Sequence, residues 1–244
     1  MRTARLFLFF LLCSGTTAVL ATELTFQSGP RQTLMIELYT SEGCNSCPPA
    51  ESFLNSFVAD KQLWQTYIPL AFHVDYWDYL GWRDKFATPA NTQRQQRYGK
   101  ALQSPTIYTP EFFVNGKEWR RGVFGRLPAV STQEVGILRV VLSDSQLTAR
   151  FNSSHAYTHS LQLHVAILGM ELSSEIGAGE NAGRHTTHQF VVLGQTQITS
   201  DKPLWQTSLP VISRVQPRQT ALVVWVSESG APAPLQATGG FIPK

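Results

Sequence analysis

The chain is poor in cysteine, poor in charge, and has no long apolar run beyond its first residues. Three cysteines occur in 244 residues, at positions 13, 44 and 47, too few for the disulfide framework that holds small secreted domains together. Charged side chains make up 15% of the chain. Without Arg2 and Arg5 there remain 18 basic and 17 acidic residues, a balance that leaves no electrostatic footprint for nucleic acid or an anionic surface. Clear internal repeats and low-complexity tracts are also absent. With 43% hydrophobic residues, the chain reads as an ordinary globular protein with enough residues to build a core unaided.

Residues 1–21 set the compartment. Arg2 and Arg5 precede the apolar run Leu6–Leu12, and Val19-Leu20-Ala21 ends the segment on a small residue. This is the pattern of a cleaved secretory signal, and the run is too short to span a bilayer. No stable membrane insertion is expected. Lipidation at Cys13 is disfavoured because Leu12 stands where a lipoprotein signal has a small residue. The expected location is secreted, in the periplasm of a Gram-negative bacterium. The mature chain then holds only Cys44 and Cys47, and the one intramolecular pairing open to each is the other.

Those two cysteines form the most informative motif, Gly43-Cys44-Asn45-Ser46-Cys47-Pro48, reached through the apolar run Leu34–Tyr39. A C-x-x-C after a buried-looking strand and at the mouth of a helix reads as a redox pair. The competing reading is a static disulfide. A bridge closing four residues constrains the unfolded chain by only about 2 kcal/mol, against about 4.7 kcal/mol for a hundred-residue loop, so it is a weak staple. At a helix N-terminus the Cys44 thiolate faces unpaired N–H groups and the positive end of the helix dipole. Cys44 is therefore the expected nucleophile and Cys47 the resolving cysteine.

Organisation changes along the chain. Residues 22–134 alternate strand and helix signals: strands at Leu34–Tyr39, Tyr67–Val74 and Glu111–Val114, helices at Ala50–Val58 and Asn91–Leu102, and a turn at Asn115-Gly116. From 135 to 244 the pattern is strand-rich, with a hairpin around Ser143-Asp144-Ser145 and further strands near Leu161–Leu168, Gln189–Leu193 and Thr220–Val226. A small antiparallel sheet or sandwich is expected there. Ala231–Pro234 reads as an exposed loop.

Arg97-Tyr98-Gly99 followed by Tyr108–Gly116 resembles the stretch of thioredoxins that leads through a cis-proline into a strand and a turn. The resemblance implies that Pro110 is that cis-proline and that Thr109 offers backbone hydrogen bonds to a partner chain beside the disulfide. More closely, Glu37–Ala50, Phe72–Trp82 and Gly179–Arg184 resemble a bacterial family of secreted thioredoxin-like proteins, the domain of unknown function 1223. The fold class this implies is α/β, a thioredoxin-like domain with a β-rich C-terminal extension.

Other residues draw candidate roles. The position where thioredoxins carry a buried Asp is Leu38, and the neighbouring Glu37 is a candidate proton acceptor for Cys47, set against a solvated carboxylate at a sheet edge. Asp75–Phe86 reads as an insertion at the carboxyl end of a strand. Its Trp77, Tyr79 and Trp82 are candidates to hold a peptide, set against aromatics that turn inward as loop anchors. Cys44 and Cys47 with His73 and Asp75 suggest a soft site for Cu(I) or zinc, but a hydrogen-bonded core histidine is the favoured reading, and no metal or cofactor is expected. The Gly179–Gly183 loop with Arg184 is either a local turn closed by a Glu180–Arg184 ion pair or a cover over the redox face. The expected function is a thiol-disulfide oxidoreductase acting on protein thiols, disulfides or a redox partner protein. The alternative is a non-enzymatic binding module, for a peptide or copper, with a resting disulfide.

Overall fold

The structure, a computed structural model, describes residues 23–104, 106–120, 125–212 and 215–243. The expected leader 1–21, with Cys13, lies outside the described residues. The first half contains β1 (Glu23–Gln27), β2 (Leu34–Thr40), α1 (Pro48–Asn55), β3 (Tyr67–His73), α2 (Pro89–Ala101), β4 (Glu111–Val114) and β5 (Lys117–Glu118). The second half contains β6 (Gly136–Ser143), β7 (Gln146–Ser153), β8 (Leu161–Met170), β9 (Leu172–Glu175) and β10 (His185–His188). It ends with β11 (Val191–Ser200), β12 (Leu204–Ser208), β13 (Gln219–Glu228) and β14 (Pro234–Ile242).

The expected α/β thioredoxin-like class does not form. Among the described residues strands take up 45% and helical turns 13%, with two α-helices. Eight strands join in one sheet, in the order β14-β13-β8-β11-β3-β2-β4-β5. The reason lies at the far edge of β3. β11 pairs there in parallel, with Val191 opposite Ala71, and the Ala71 N–H donates to the Phe190 carbonyl at 2.8 Å. Beyond β11, strands β8, β13 and β14 continue the sheet antiparallel. The boundary expected at 134/135 is therefore crossed by a continuous hydrogen-bonded sheet. A second, four-stranded sheet, β1-β6-β7-β12, covers part of it, and β9 pairs with β10 as a separate ribbon.

β8 and β13 are buried on both faces, and their period of two divides the core. Leu163, Val165 and Leu222, Val224 face the four-stranded sheet, where they meet Leu138, Val140 and Phe151. Ala166, Leu168, Val223 and Trp225 face the other way, into the cluster that holds β2, β3 and the helices through Leu38, Phe72, Leu54 and Tyr98.

α1 starts on Pro48 and Pro49, where a missing N–H costs little. α2 starts at Pro89 behind Thr88, whose hydroxyl accepts the Asn91 N–H at 3.2 Å. β14 runs through Pro234 and two glycines that weaken its strand signal. Gly240 lets the Phe26 ring approach to 2.8 Å of where a Cβ would stand, which holds β1 against the larger sheet.

Candidate functional site

β2 ends at Thr40, and a tight turn then delivers the cysteines to α1. The Cys44 N–H donates to the Ser41 carbonyl at 3.1 Å, Cys47 N–H to the Cys44 carbonyl at 3.2 Å, and Ala50 and Glu51 N–H to the Cys47 carbonyl at 2.9 and 3.0 Å. Cys44 and Cys47 form a disulfide. Both are enclosed, at 1% and 0% exposure, while Asn45 and Ser46 between them face solvent.

The loop between β9 and β10 closes over this turn. The Glu180 carboxylate accepts the Asn45 N–H at 3.1 Å, and the buried Asn181 donates through Nδ2 to the carbonyls of Glu42 and Cys44, at 2.8 and 2.9 Å. Gly179 and Gly183 take positive φ, +76° and +80°, which only glycine adopts readily. Among the described residues Glu180 forms no ion pair with Arg184.

The aromatic residues of the insertion serve this arrangement from inside. Trp77 Cβ lies 3.1 Å from where a Cβ on Gly43 would stand, and its Nε1–H donates to Thr109 Oγ1 at 2.7 Å. It thus bridges the cysteine turn and the Thr109–Pro110 peptide, which is cis. Trp82 donates Nε1–H to Glu42 Oε2 at 2.7 Å, and its ring lies 3.2 Å from a Cβ built on Gly177. Trp77 and Trp82 are thus half-buried and tied into the protein as loop anchors, while Tyr79 is exposed, at 78%.

Glu37 lies in neither of the two expected settings. Its carboxylate is buried and accepts Arg94 Nε–H at 2.7 Å, Arg94 Nη2–H at 3.0 Å, the Tyr39 hydroxyl at 3.1 Å and the Tyr98 hydroxyl. It is neither solvated nor free to take a proton from Cys47, because a carboxylate offers about four lone-pair directions and all are used. Asp75 accepts the Thr92 hydroxyl at 2.6 Å, and among the described residues the groups gathered with His73 are Glu51 and His188 rather than Asp75.

Beneath the disulfide lies a group of residues that the sequence did not bring together: Glu42, Glu51, His73, Asp84 and His188. His73 Nδ1 lies 2.7 Å from Asp84 Oδ2, which also accepts the Glu42 N–H at 2.9 Å. His188 Nδ1 lies 2.7 Å from Glu51 Oε2, and its Nε2 lies 3.2 Å from Glu42 Oε1 and 2.9 Å from the Thr186 hydroxyl. Burial pushes the His188 pKa down, but the bonds to Glu42 and Glu51 outweigh it and raise it to about 10. The only sequence signal for His188 is its place shortly after the Gly179–Arg184 segment. Glu42 and Asn181 carried a signal through the family-like segments that contain them.

Glu111, next to Pro110, is held by Gln95 Nε2–H at 2.6 Å. Burial raises its carboxyl to about 7, with the Gln95 bond acting the other way. A folded pKa above the unfolded one means that ionisation costs the native state, so this group's effect on stability falls as pH rises from about 4.5 through about 7. Glu111→Gln is therefore expected to gain stability relative to wild type from pH 5 to pH 8, read by urea melts at each pH. A wild-type-minus-variant difference that stays flat across that range refutes the assignment.

The fold and site define a β-rich protein with an enclosed C-x-x-C disulfide under a latched loop. Residues 35–227 match the family described as protein of unknown function (DUF1223), and the chain belongs to that family. No curated protein matches it. Among solved structures, protein AGR_C_4864 from Agrobacterium tumefaciens is similar at TM-score 0.63 and 24% identity, covering 87% of this chain and 94% of its own. HBP35 of Porphyromonas gingivalis is similar at TM-score 0.55 and 12% identity, covering 87% of this chain and 76% of its own. Both likenesses concern the fold.

Proposed function

We propose that the protein is a thiol-disulfide oxidoreductase of an oxidising, extracytoplasmic compartment, the periplasm of a Gram-negative bacterium. The observation that carries this reading is the Cys44–Cys47 disulfide, closed across a solvent-facing Asn45-Ser46 turn immediately ahead of α1. The leader-like residues 1–21 support the compartment. In the reduced protein Cys44 thiolate attacks one sulfur of a partner disulfide. A Cys44–partner bond forms and the other partner sulfur leaves as thiolate. Cys47 thiolate then attacks the Cys44 sulfur and releases the second partner sulfur. The pair has given two electrons to the partner and has become a disulfide, and the reverse sequence oxidises a partner dithiol. Partners are protein thiols, protein disulfides or a redox partner protein. The Gly179–Gly183 loop is latched to the backbone of the cysteine turn through Asn181 and Glu180, and exchange in this reading starts with its opening.

The burial of both cysteines favours a second reading, a non-enzymatic binding module with a resting disulfide. Two measurements separate the readings. Cys47→Ser is expected to accumulate mixed disulfides with extracytoplasmic proteins, seen on non-reducing gels, while Cys44→Ser accumulates none. Equilibration of the wild-type pair in glutathione buffers is expected to give a potential between about −120 and −270 mV. A value below about −300 mV, or no trapped species in Cys47→Ser, moves the assignment to the binding module.

A further inference from the structure

A buried group of carboxylates and imidazoles, Glu42, Glu51, His73, Asp84 and His188, lies next to the cysteine turn. His73 is fully enclosed, and with Nδ1 engaged by Asp84 its Nε2 is buried without a hydrogen-bond partner. A buried polar atom left in that state destabilises the protein, and the space around Glu51, His73 and His188 is too tight for a water to relieve it. The donor atoms of Glu51, His73 and His188 all lie within 4.8 Å of one another. In a tetrahedral zinc site with bonds near 2.05 Å, donors stand about 3.4 Å apart, so small side-chain rotations close the set. His73 also has a carboxylate on its other ring nitrogen, Asp84 on Nδ1, and His188 Nε2 is held by the Thr186 hydroxyl at 2.9 Å, with Glu42 Oε1 3.2 Å away. That is the outer arrangement that orients metal-binding imidazoles and raises their basicity. Glu42, Glu51 and Asp84 are all largely buried, and among the described residues no Lys or Arg forms an ion pair with any of them.

We propose that Glu51, His73 and His188 bind a borderline divalent cation, with zinc the best match to two imidazoles and one carboxylate. His73 donates through Nε2, Glu51 through a carboxylate oxygen, and His188 through Nδ1, which now faces Glu51. The site is distinct from the cysteines and does not depend on the redox reading.

The test is calorimetric titration of ZnCl2 into EDTA-stripped protein with the disulfide intact, so that no thiolate is free to bind. The expected result is one zinc per chain with sub-micromolar affinity and a raised melting temperature. Replacing zinc with Co2+ is expected to give the visible absorption of a low-coordinate nitrogen and oxygen site. His73→Gln is expected to abolish both signals, and Asp84→Asn to weaken zinc about 10- to 100-fold. Absence of stoichiometric zinc uptake by the wild-type protein, which requires no variant to fold, overturns the proposal, and so does uptake unchanged in a folded His73→Gln protein.

Discussion

Arg94→Met is expected to destabilise the protein by about 3–5 kcal/mol, the range for removing one partner of a buried ion pair. For a chain of this length that corresponds to a fall in melting temperature of roughly 10 °C. Arg94 is enclosed in the core, where its guanidinium grips Glu37 through two hydrogen bonds and lies over the rings of Phe72, Tyr98 and Trp225 at 5.4, 5.4 and 4.9 Å. Burial opposes the charge, but Glu37, Tyr98 and Tyr39 outweigh it and hold the guanidinium firmly protonated. Removing Arg94 leaves Glu37 as an uncompensated buried carboxylate, with only two tyrosine hydroxyls to stabilise it. The double variant Glu37→Gln/Arg94→Met removes both charges and is expected to lose less than Arg94→Met alone. Urea unfolding of the wild type, both single variants and the double closes the cycle. A double variant as unstable as the sum of the singles refutes the coupling. The pair joins β2 to α2, and Arg94 and Tyr98 both reach the Pro232 carbonyl ahead of β14, at 3.4 and 3.0 Å. Its loss is therefore expected to loosen the contact between the two halves of the chain.

Much of the local structure was legible in the sequence. The apolar runs at Leu34–Tyr39 and Tyr67–Val74 became β2 and β3, and the stripe at Ala50–Val58 became α1 with the 3₁₀ turn Ser56–Ala59 after it. The hairpin around Asp144 stands as read, between β6 and β7. The fold class was not legible, because a window on the sequence records the pattern of a strand and not its neighbour. Nothing in Tyr67–His73 says that Val191 will pair beside Ala71. β14 was hidden by Pro234, Gly239 and Gly240, whose turn-like character is offset only by tertiary contacts: Trp64 and Leu222 close on Gly239, and Phe26 on Gly240. At the site, the cysteines announced themselves through spacing. Glu51, Asp84 and His188 did not, because they come together with Glu42 and His73 only when α1, the insertion and β10 meet. Glu37 shows the limit from the other side: strand alternation placed it correctly on β2, but its partner Arg94 lies 57 positions away on α2.

Asn181→Ala is expected to speed reduction of the Cys44–Cys47 disulfide by dithiothreitol roughly ten- to thirty-fold. The sulfurs are enclosed, so an incoming thiolate reaches Cys44 only in molecules whose covering loop has opened, and when opening and closing are fast the observed rate follows the open population. Asn181 holds the loop by two hydrogen bonds to backbone carbonyls, Glu42 and Cys44. Each is worth about 1 kcal/mol net, and 1.4 kcal/mol is a factor of ten in the open fraction. Glu180→Gln weakens the third latch, at the Asn45 N–H. It is expected to act in the same direction by a smaller factor, because that bond is exposed. General destabilisation accelerates reduction too, so the control is the urea dependence of the rate. A shallow slope, well below the equilibrium m-value, marks local opening, and a slope equal to it marks global unfolding. If Asn181→Ala leaves the rate unchanged, the loop is not the barrier to Cys44 and the covered-disulfide account fails. If the rate rises with a shallow slope, the same substitution added to Cys47→Ser is expected to raise the yield of mixed disulfide. That result would tie the latch to the exchange chemistry rather than to burial of an inert bridge.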